Sequence, residues 1–289
     1  MPRITTALLL LLPLLATAAP EAAAPAGRPA LRIGLVADVQ YADKDSEIGR
    51  HYRDSLGKLR EAVARFNEEK ADLLIELGDL VDAGDTVAEE TAYLKAVEAE
   101  LVKFRGDGHY VLGNHCLWSL TRDEYRKVCA GRGEHYSFDK GGFHFVILDA
   151  CYRPDGATYG AKNSRWQESL IPEAERRWLA ADLAATAKKT LVFVHQRLDA
   201  GPPYGVQNAA EVRKTLEDSG KVLAVFQGHH HAGDLQKVNG IHYVTLVGMT
   251  EGAGAESNAY GVLDVFGDGT LVLTGFRRQK SLVLPAGAR

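Results

Sequence analysis

Short apolar runs alternate with amphipathic stretches along the first three quarters of the chain. Ala30–Ala37, Asp72–Leu77, His109–Leu112, Phe143–Leu148, Thr190–Val194 and Val222–Phe226 have the length and content of buried strands. Between them, Tyr52–Glu69 places Leu56, Leu59, Val63 and Phe66 at intervals of three and four, with Lys58, Arg60, Glu61 and Arg65 interposed. That is the period of a helix with one buried face. Thr86–Phe104 repeats the pattern with Leu94, Val97 and Leu101, and Glu173–Ala187 with Trp178, Leu179 and Leu183. Ala209–Ser219 is a shorter helix. The last quarter changes character: Ile241–Val247, Tyr260–Phe266 and Leu271–Phe276 are strands, the last two joined by Gly267-Asp268-Gly269 as a hairpin. The order predicts an α/β protein with two mixed sheets packed face to face and helices outside. Cys151–Pro172 is the longest stretch without periodicity, and a loop of that length in a compact domain is usually functional or disordered.

The N-terminus reads differently. Arg3 precedes an apolar run from Ala7 to Leu15, and Ala16-Thr17-Ala18 offers a small-residue cleavage site. This is the layout of a signal peptide over residues 1–18, which predicts export to a periplasm or the exterior. Residues 19–30 are Ala/Pro-rich and read as a linker, residues 31–280 as one domain, and 281–289 as a tail. No later segment is long and apolar enough for a transmembrane helix. With 289 residues, 46% of them hydrophobic, the chain can bury a large core. A formal charge of −4 leaves no basic footprint for nucleic acid. The three cysteines, Cys116, Cys129 and Cys151, contain no CxxC pair, so a thiolate zinc site is not expected, and buried inert thiols are.

The candidate chemistry stands where the apolar runs end. Asp38 and Gln40 follow the first, Gly78-Asp79 the second, Gly113-Asn114-His115 the third, His195 the fifth, and Gly228-His229-His230-His231 the sixth. Loops at the carboxyl ends of strands converge on one crevice in α/β sheets. Carboxylate, amide and imidazole groups converging there suggest a two-metal hydrolytic centre. Asp79 is the candidate bridge, because a carboxylate offers two oxygens and offsets cation repulsion. Asp38 and Gln40 lie two apart, so an extended segment would point them the same way. His115 follows Asn114 directly and is placed to act on a leaving oxygen without binding metal. Asp82 is the candidate support for His115, and Lys162 and Arg165 are candidates for an anionic substrate group.

The blocks Asp38-Val39-Gln40, Gly78-Asp79-Leu80-Val81-Asp82, Gly113-Asn114-His115-Cys116, His195 and Gly228-His229-His230-His231 resemble those of the calcineurin-like metallophosphoesterases. The resemblance covers roughly Leu31–Arg278 and implies a four-layer α/β/β/α sandwich. It also implies one metal held by Asp38, Gln40, Asp79 and His231, and a second held by Asp79, Asn114, His195 and His229. Gln40 departs from the usual histidine. Together with Tyr41-Ala42-Asp43 and the helix opening His51–Leu56, it is similar to the manganese-dependent ADP-ribose/CDP-alcohol diphosphatase branch. Cys116 stands where an acidic residue is usual.

The expected cofactors are therefore two divalent cations, Mn²⁺ first, with Fe, Zn and Mg as alternatives. The expected partner is a phosphorylated small molecule, hydrolysed at an ester or anhydride bond. A catalytically silent phosphate-ligand sensor is the competing reading. Its mark would be loss of a ligand or of His115, and all are present.

Overall fold

The computed structural model describes residues 27–129 and 134–286. The signal-peptide reading and the linker as far as residue 26 lie outside them. In chain order the elements are β1 (Leu31–Val36), α1 (Ser55–Glu68), β2 (Leu73–Glu76), α2 (Val87–Leu101), β3 (Asp107–Tyr110), α3 (Arg122–Val128), β4 (Tyr136–Lys140) and β5 (Phe143–Ile147). They continue with α4 (Glu173–Ala185), β6 (Thr190–Phe193), α5 (Ala209–Ser219), β7 (Val222–Gln227), β8 (Ala232–Val238), β9 (Ile241–Val247), β10 (Ala259–Val265), β11 (Leu271–Arg277) and β12 (Leu282–Leu284).

Two six-stranded mixed sheets result, ordered β12-β11-β10-β1-β2-β3 and β4-β5-β6-β7-β9-β8. Strand alternation divides the side chains among three apolar layers. Ile33, Leu35, Leu73 and Ile75 of the first sheet meet Phe145, Ile147, Phe193 and Phe226 of the second. Val36 and Leu74 face the other way, onto Leu59, Phe66, Val97 and Leu101 of α1 and α2. Val146, Val192 and Val225 face Leu179 and Leu183 of α4 and Val212 and Leu216 of α5. Helices, sheet, sheet and helices are thus the four expected layers. Period-two strands and period-3.6 helices each bury a face that only a neighbouring layer can cover.

Local signals agree with this placement. Thr86 and Glu89 form a reciprocal capping box at α2, and Thr121 and Glu124 do the same at α3. Gly220, left-handed at φ 66°, ends α5. At Gly34 in β1 a Cβ would lie 2.5 Å from the Phe66 ring, so the absence of a side chain lets α1 press onto the sheet.

Several boundaries differ from expectation. The third strand is Asp107–Tyr110 rather than His109–Leu112, because pairing with β2 fixes it from Leu73↔Asp107 to Glu76↔Tyr110. The polar or short elements α3, β4, β8 and β12 carry too little apolar periodicity to be read in advance. The fold also runs past residue 280, since Leu282–Leu284 pairs with Leu271–Leu273 of β11. Cys151–Pro172 holds no helix or strand of its own but is tied down: Cys151 bridges Leu170, Tyr152 bridges Thr158 and Leu170, and Tyr159 is buried. All three cysteines are buried and none is in a disulfide.

The Gly34–Phe66 contact gives a direct test of this packing. Gly34→Ala should cost about 1–3 kcal/mol in urea unfolding, the usual penalty of overpacking. Combining it with Phe66→Leu should recover part of that loss. Strictly additive costs would contradict the contact.

Candidate metal centre

The strand ends bring five segments together. Asp38 and Gln40 leave β1, Asp79 leaves β2, Asn114 follows β3, His195 leaves β6, and His229 and His231 leave β7. Backbone hydrogen bonds fasten these segments to one another: Asp38 N donates to Gly78 O at 3.1 Å, Gln40 N to Asp79 O at 2.8 Å, and Gly228 N to His195 O at 3.0 Å. The loops are not extended, contrary to the simple alternation argument for Asp38 and Gln40. Asp38, Gln40, Asp79 and His229 have φ of 54°, 41°, 60° and 67°, a left-handed conformation that side-chain-bearing residues rarely adopt. Each such residue costs about 1–3 kcal/mol and persists only where its surroundings over-determine it. Two glycines open the space. A Cβ at Gly78 would sit 2.5 Å from His195 Nδ1, and one at Gly113 would sit 2.2 Å from Asp79 N.

The side chains converge around two carboxylates with no more than 1% exposure. Asp79 Oδ2 lies 3.0 Å from His195 Nε2, and Asp38 Oδ1 lies 3.3 Å from His231 Nε2. His229 Nδ1 is 3.2 Å from His195 Nε2, and Gln40 Nε2 donates to Asp79 Oδ2 at 3.3 Å. Atoms offered by Asp79, His195 and His229 all fall within 4.8 Å of one another, as a shared cation requires. Burial alone would push both carboxyls up. The neighbouring imidazoles, His231 and His195 at Asp38 and chiefly His195 and His115 at Asp79, outweigh it, holding Asp38 below and Asp79 well below the usual carboxylate range. Burial likewise opposes charge on His195 and His231, yet the adjacent carboxylates raise each to about 9. Burial and the charge of His195 push His229 down to about 3, which leaves it neutral, the form in which imidazole binds metal.

A metal fits this donor set. Gln40 Oε1, Asn114 Oδ1 and His229 Nε2 are buried and have no hydrogen-bond partner. Buried polar atoms are nearly always paired, so three orphaned ligand-type atoms on residues of these converging loops call for an electrophile. His195 Nδ1–H donates to Leu77 O at 2.8 Å, which turns its Nε2 inward. His115 is held differently. Its Nδ1 pairs with Asp82 Oδ1, and Lys44 Nζ sits 2.5 Å from the other Asp82 oxygen. Its backbone N–H donates to Asp79 Oδ1 at 2.7 Å, so the residue touches the centre while its ring stays 23% exposed.

A family profile described as calcineurin-like phosphoesterase matches residues 31–233. The chain belongs to that family. It is also similar to proteins called manganese-dependent ADP-ribose/CDP-alcohol diphosphatase: 26% identical to one from Xenopus laevis, over 86% of this chain and 88% of that one. Another, from Arabidopsis thaliana, is 25% identical over 89% of this chain and 97% of that one. Its fold matches a dimetal phosphatase from Danio rerio with a TM-score of 0.79 and 24% identity, over 90% of this chain and 100% of that one. The chain is therefore a metal-dependent phosphoesterase.

Other residues of this phosphoesterase divide between the site and the scaffold. Arg165 lines a cleft of about 380 Å³ together with Asn114, His115, Trp118 and Trp166. Lys162 is not among the residues lining it; its ammonium donates to Asp85 O at 2.8 Å. Cys116 lies beneath the centre, where its sulfur accepts from Leu80 N at 3.3 Å. Sequence reasoning missed Trp166 and Tyr204, which are exposed beside His229 with ring centroids 5.6 and 6.0 Å from it. It also missed Glu251, 2.6 Å from His231 Nδ1. None of the three belongs to a spaced motif.

Asp79 contacts both His195 and Gln40, so Asp79→Asn should lower bound metal and abolish phosphoesterase turnover. Metal analysis of the purified variant checks this. Full metal content with normal turnover would contradict it.

Proposed function

We propose that this phosphoesterase works with two divalent cations, preferably Mn²⁺, and cleaves a phosphoanhydride or phosphodiester bond in a nucleoside-diphosphate-X-type substrate. The observation that carries the reading is the set of orphaned atoms on residues of the converging loops. Gln40 Oε1, Asn114 Oδ1 and His229 Nε2 are all buried and without a hydrogen-bond partner. One cation would be held by Asp38, Gln40, Asp79 and His231, the other by Asp79, Asn114, His195 and His229. The relatives named for manganese and for ADP-ribose or CDP-alcohol support both the metal and the substrate class. Export rests on the layout of residues 1–18, with cleavage near Ala18.

The chemistry that cations would supply there is a more acidic bound solvent and withdrawal of charge from the phosphoryl group. The chain's own residues do the rest. His115 is anchored through Nδ1 on Asp82, which leaves Nε2 for the cleft. Burial lowers its pKa, but Asp79 and Asp82 more than compensate, so His115 holds its proton more firmly than a free histidine. It is thus equipped to protonate a leaving oxygen. Arg165, 79% exposed at the cleft rim and 3.8 Å from Glu168, is placed to meet an anionic substrate group. His115→Ala should cut turnover by roughly 10²–10⁴-fold, the range of a general acid, with metal stoichiometry unchanged. Loss of metal along with activity would make the residue structural.

Gln40 sets the expected metal preference. An amide oxygen favours Mn²⁺ and Mg²⁺, whereas imidazole suits zinc and iron. Gln40→His should therefore shift activation away from Mn²⁺ towards Zn²⁺ or Fe²⁺, and unchanged activation profiles would contradict this role. The substrate reading is tested with Mn²⁺-loaded enzyme on ADP-ribose, CDP-choline, bis(p-nitrophenyl) phosphate and p-nitrophenyl phosphate. Highest kcat/KM on the diphosphate conjugates is expected. A clear preference for the monoester would overturn it.

A further inference from the structure

Glu251 lies in the turn between β9 and β10, far in sequence from every motif of the site. Its carboxylate Oε1 is 2.6 Å from His231 Nδ1. The opposite ring nitrogen, Nε2, faces Asp38 Oδ1 at 3.3 Å. An acceptor on Nδ1 requires the proton there and leaves the Nε2 lone pair for a cation. Gly248 makes room for this orientation, since a Cβ there would lie 2.7 Å from His231 Cγ.

The turn carrying Glu251 is itself fixed to the site. Met249 N donates to Ala37 O and Thr250 N to Asp38 O, both at 3.0 Å. His51 N donates to Thr250 O at 2.9 Å, and Gly252 N to Gly49 O at 2.9 Å. From below, the buried ammonium of Lys58 on α1 donates to Met249 O, Glu251 O and Gly252 O at 2.9, 3.1 and 2.7 Å. Three carbonyl acceptors thus tie the Lys58 ammonium to this turn. The same backbone that places Asp38 therefore places Glu251, and the distance between Asp38 and its facing imidazole cannot relax independently.

We propose that Glu251 is a positioning residue for one of the two cation sites, acting through His231 alone. This rests on the two-cation reading above. Carboxylate partners of ligating histidines typically change metal affinity by about 10–100-fold. His195 takes its orientation from Leu77 O instead, so the site it serves should not feel the change.

Mn²⁺ titration followed by calorimetry and by the EPR signal of free Mn²⁺ tests this on the wild-type chain, Glu251→Ala and Glu251→Gln. Wild type should bind two Mn²⁺. Glu251→Ala should weaken one site by about 10–100-fold and leave its neighbour unchanged. Glu251→Gln, whose amide oxygen still accepts from Nδ1–H, should recover most of that loss, which a role limited to folding of the turn would not explain for the alanine variant alone. Two wild-type affinities in Glu251→Ala would overturn the inference while leaving the two-cation reading intact. Equal weakening of both sites, or a glutamine variant as weak as alanine, would also overturn it. Fewer than two Mn²⁺ in wild type would remove the two-cation reading and this inference together.

Discussion

Everything at this site follows from two carboxylates that have been taken out of water. Asp38 and Asp79 end neighbouring parallel strands, β1 and β2, and are essentially unexposed. A buried anion must have positive charge beside it. The structure surrounds the pair with imidazoles from the second sheet, His195 after β6 and His229 and His231 after β7. Those groups are arranged for cations rather than for protons alone, because Gln40, Asn114 and His229 each present an atom that no hydrogen bond uses.

The four-layer scaffold makes that concentration of charge tolerable. The inter-sheet core, from Ile33 and Leu35 across to Phe193 and Phe226, holds the two sets of strand ends at a fixed separation. The loops then cross-link the sheets: Gly228 N to His195 O within one sheet's loops, Met249 N to Ala37 O between the two. Such fastening allows four candidate ligands or their neighbours to sit in a left-handed conformation that a freer loop would abandon. Strain concentrated at Asp38, Gln40, Asp79 and His229 is what turns side chains of sequence-adjacent residues toward a common point.

Much of this is written in the sequence because burial is periodic. Strands such as Phe143–Ile147 and Val222–Gln227 are apolar but for His144 and Gln227, since both faces of an inner strand are covered. Edge strands are another matter. β8 reads Ala-Gly-Asp-Leu-Gln-Lys-Val and is mostly exposed, so its only strong determinant is pairing with β9. β3, Asp-Gly-His-Tyr, likewise owes its place to β2. At the site, residues that stand beside a strand end and a glycine were readable. Glu251, Trp166 and Tyr204 were not, because what matters about them is a tertiary contact with a histidine some 20 or more positions away. Lys162 shows the converse: charge and loop position suggested a role, but its ammonium is turned to Asp85 O.

The proposed sharing of Asp79 by two cations can be tested directly. The most direct measurement is anomalous diffraction from crystals of the Mn²⁺-loaded protein, collected on both sides of the manganese absorption edge. Two manganese peaks about 3.5–4 Å apart, with the Asp79 carboxylate between them, are the expected result. A single peak, or two peaks with Asp79 bound to only one, would contradict it.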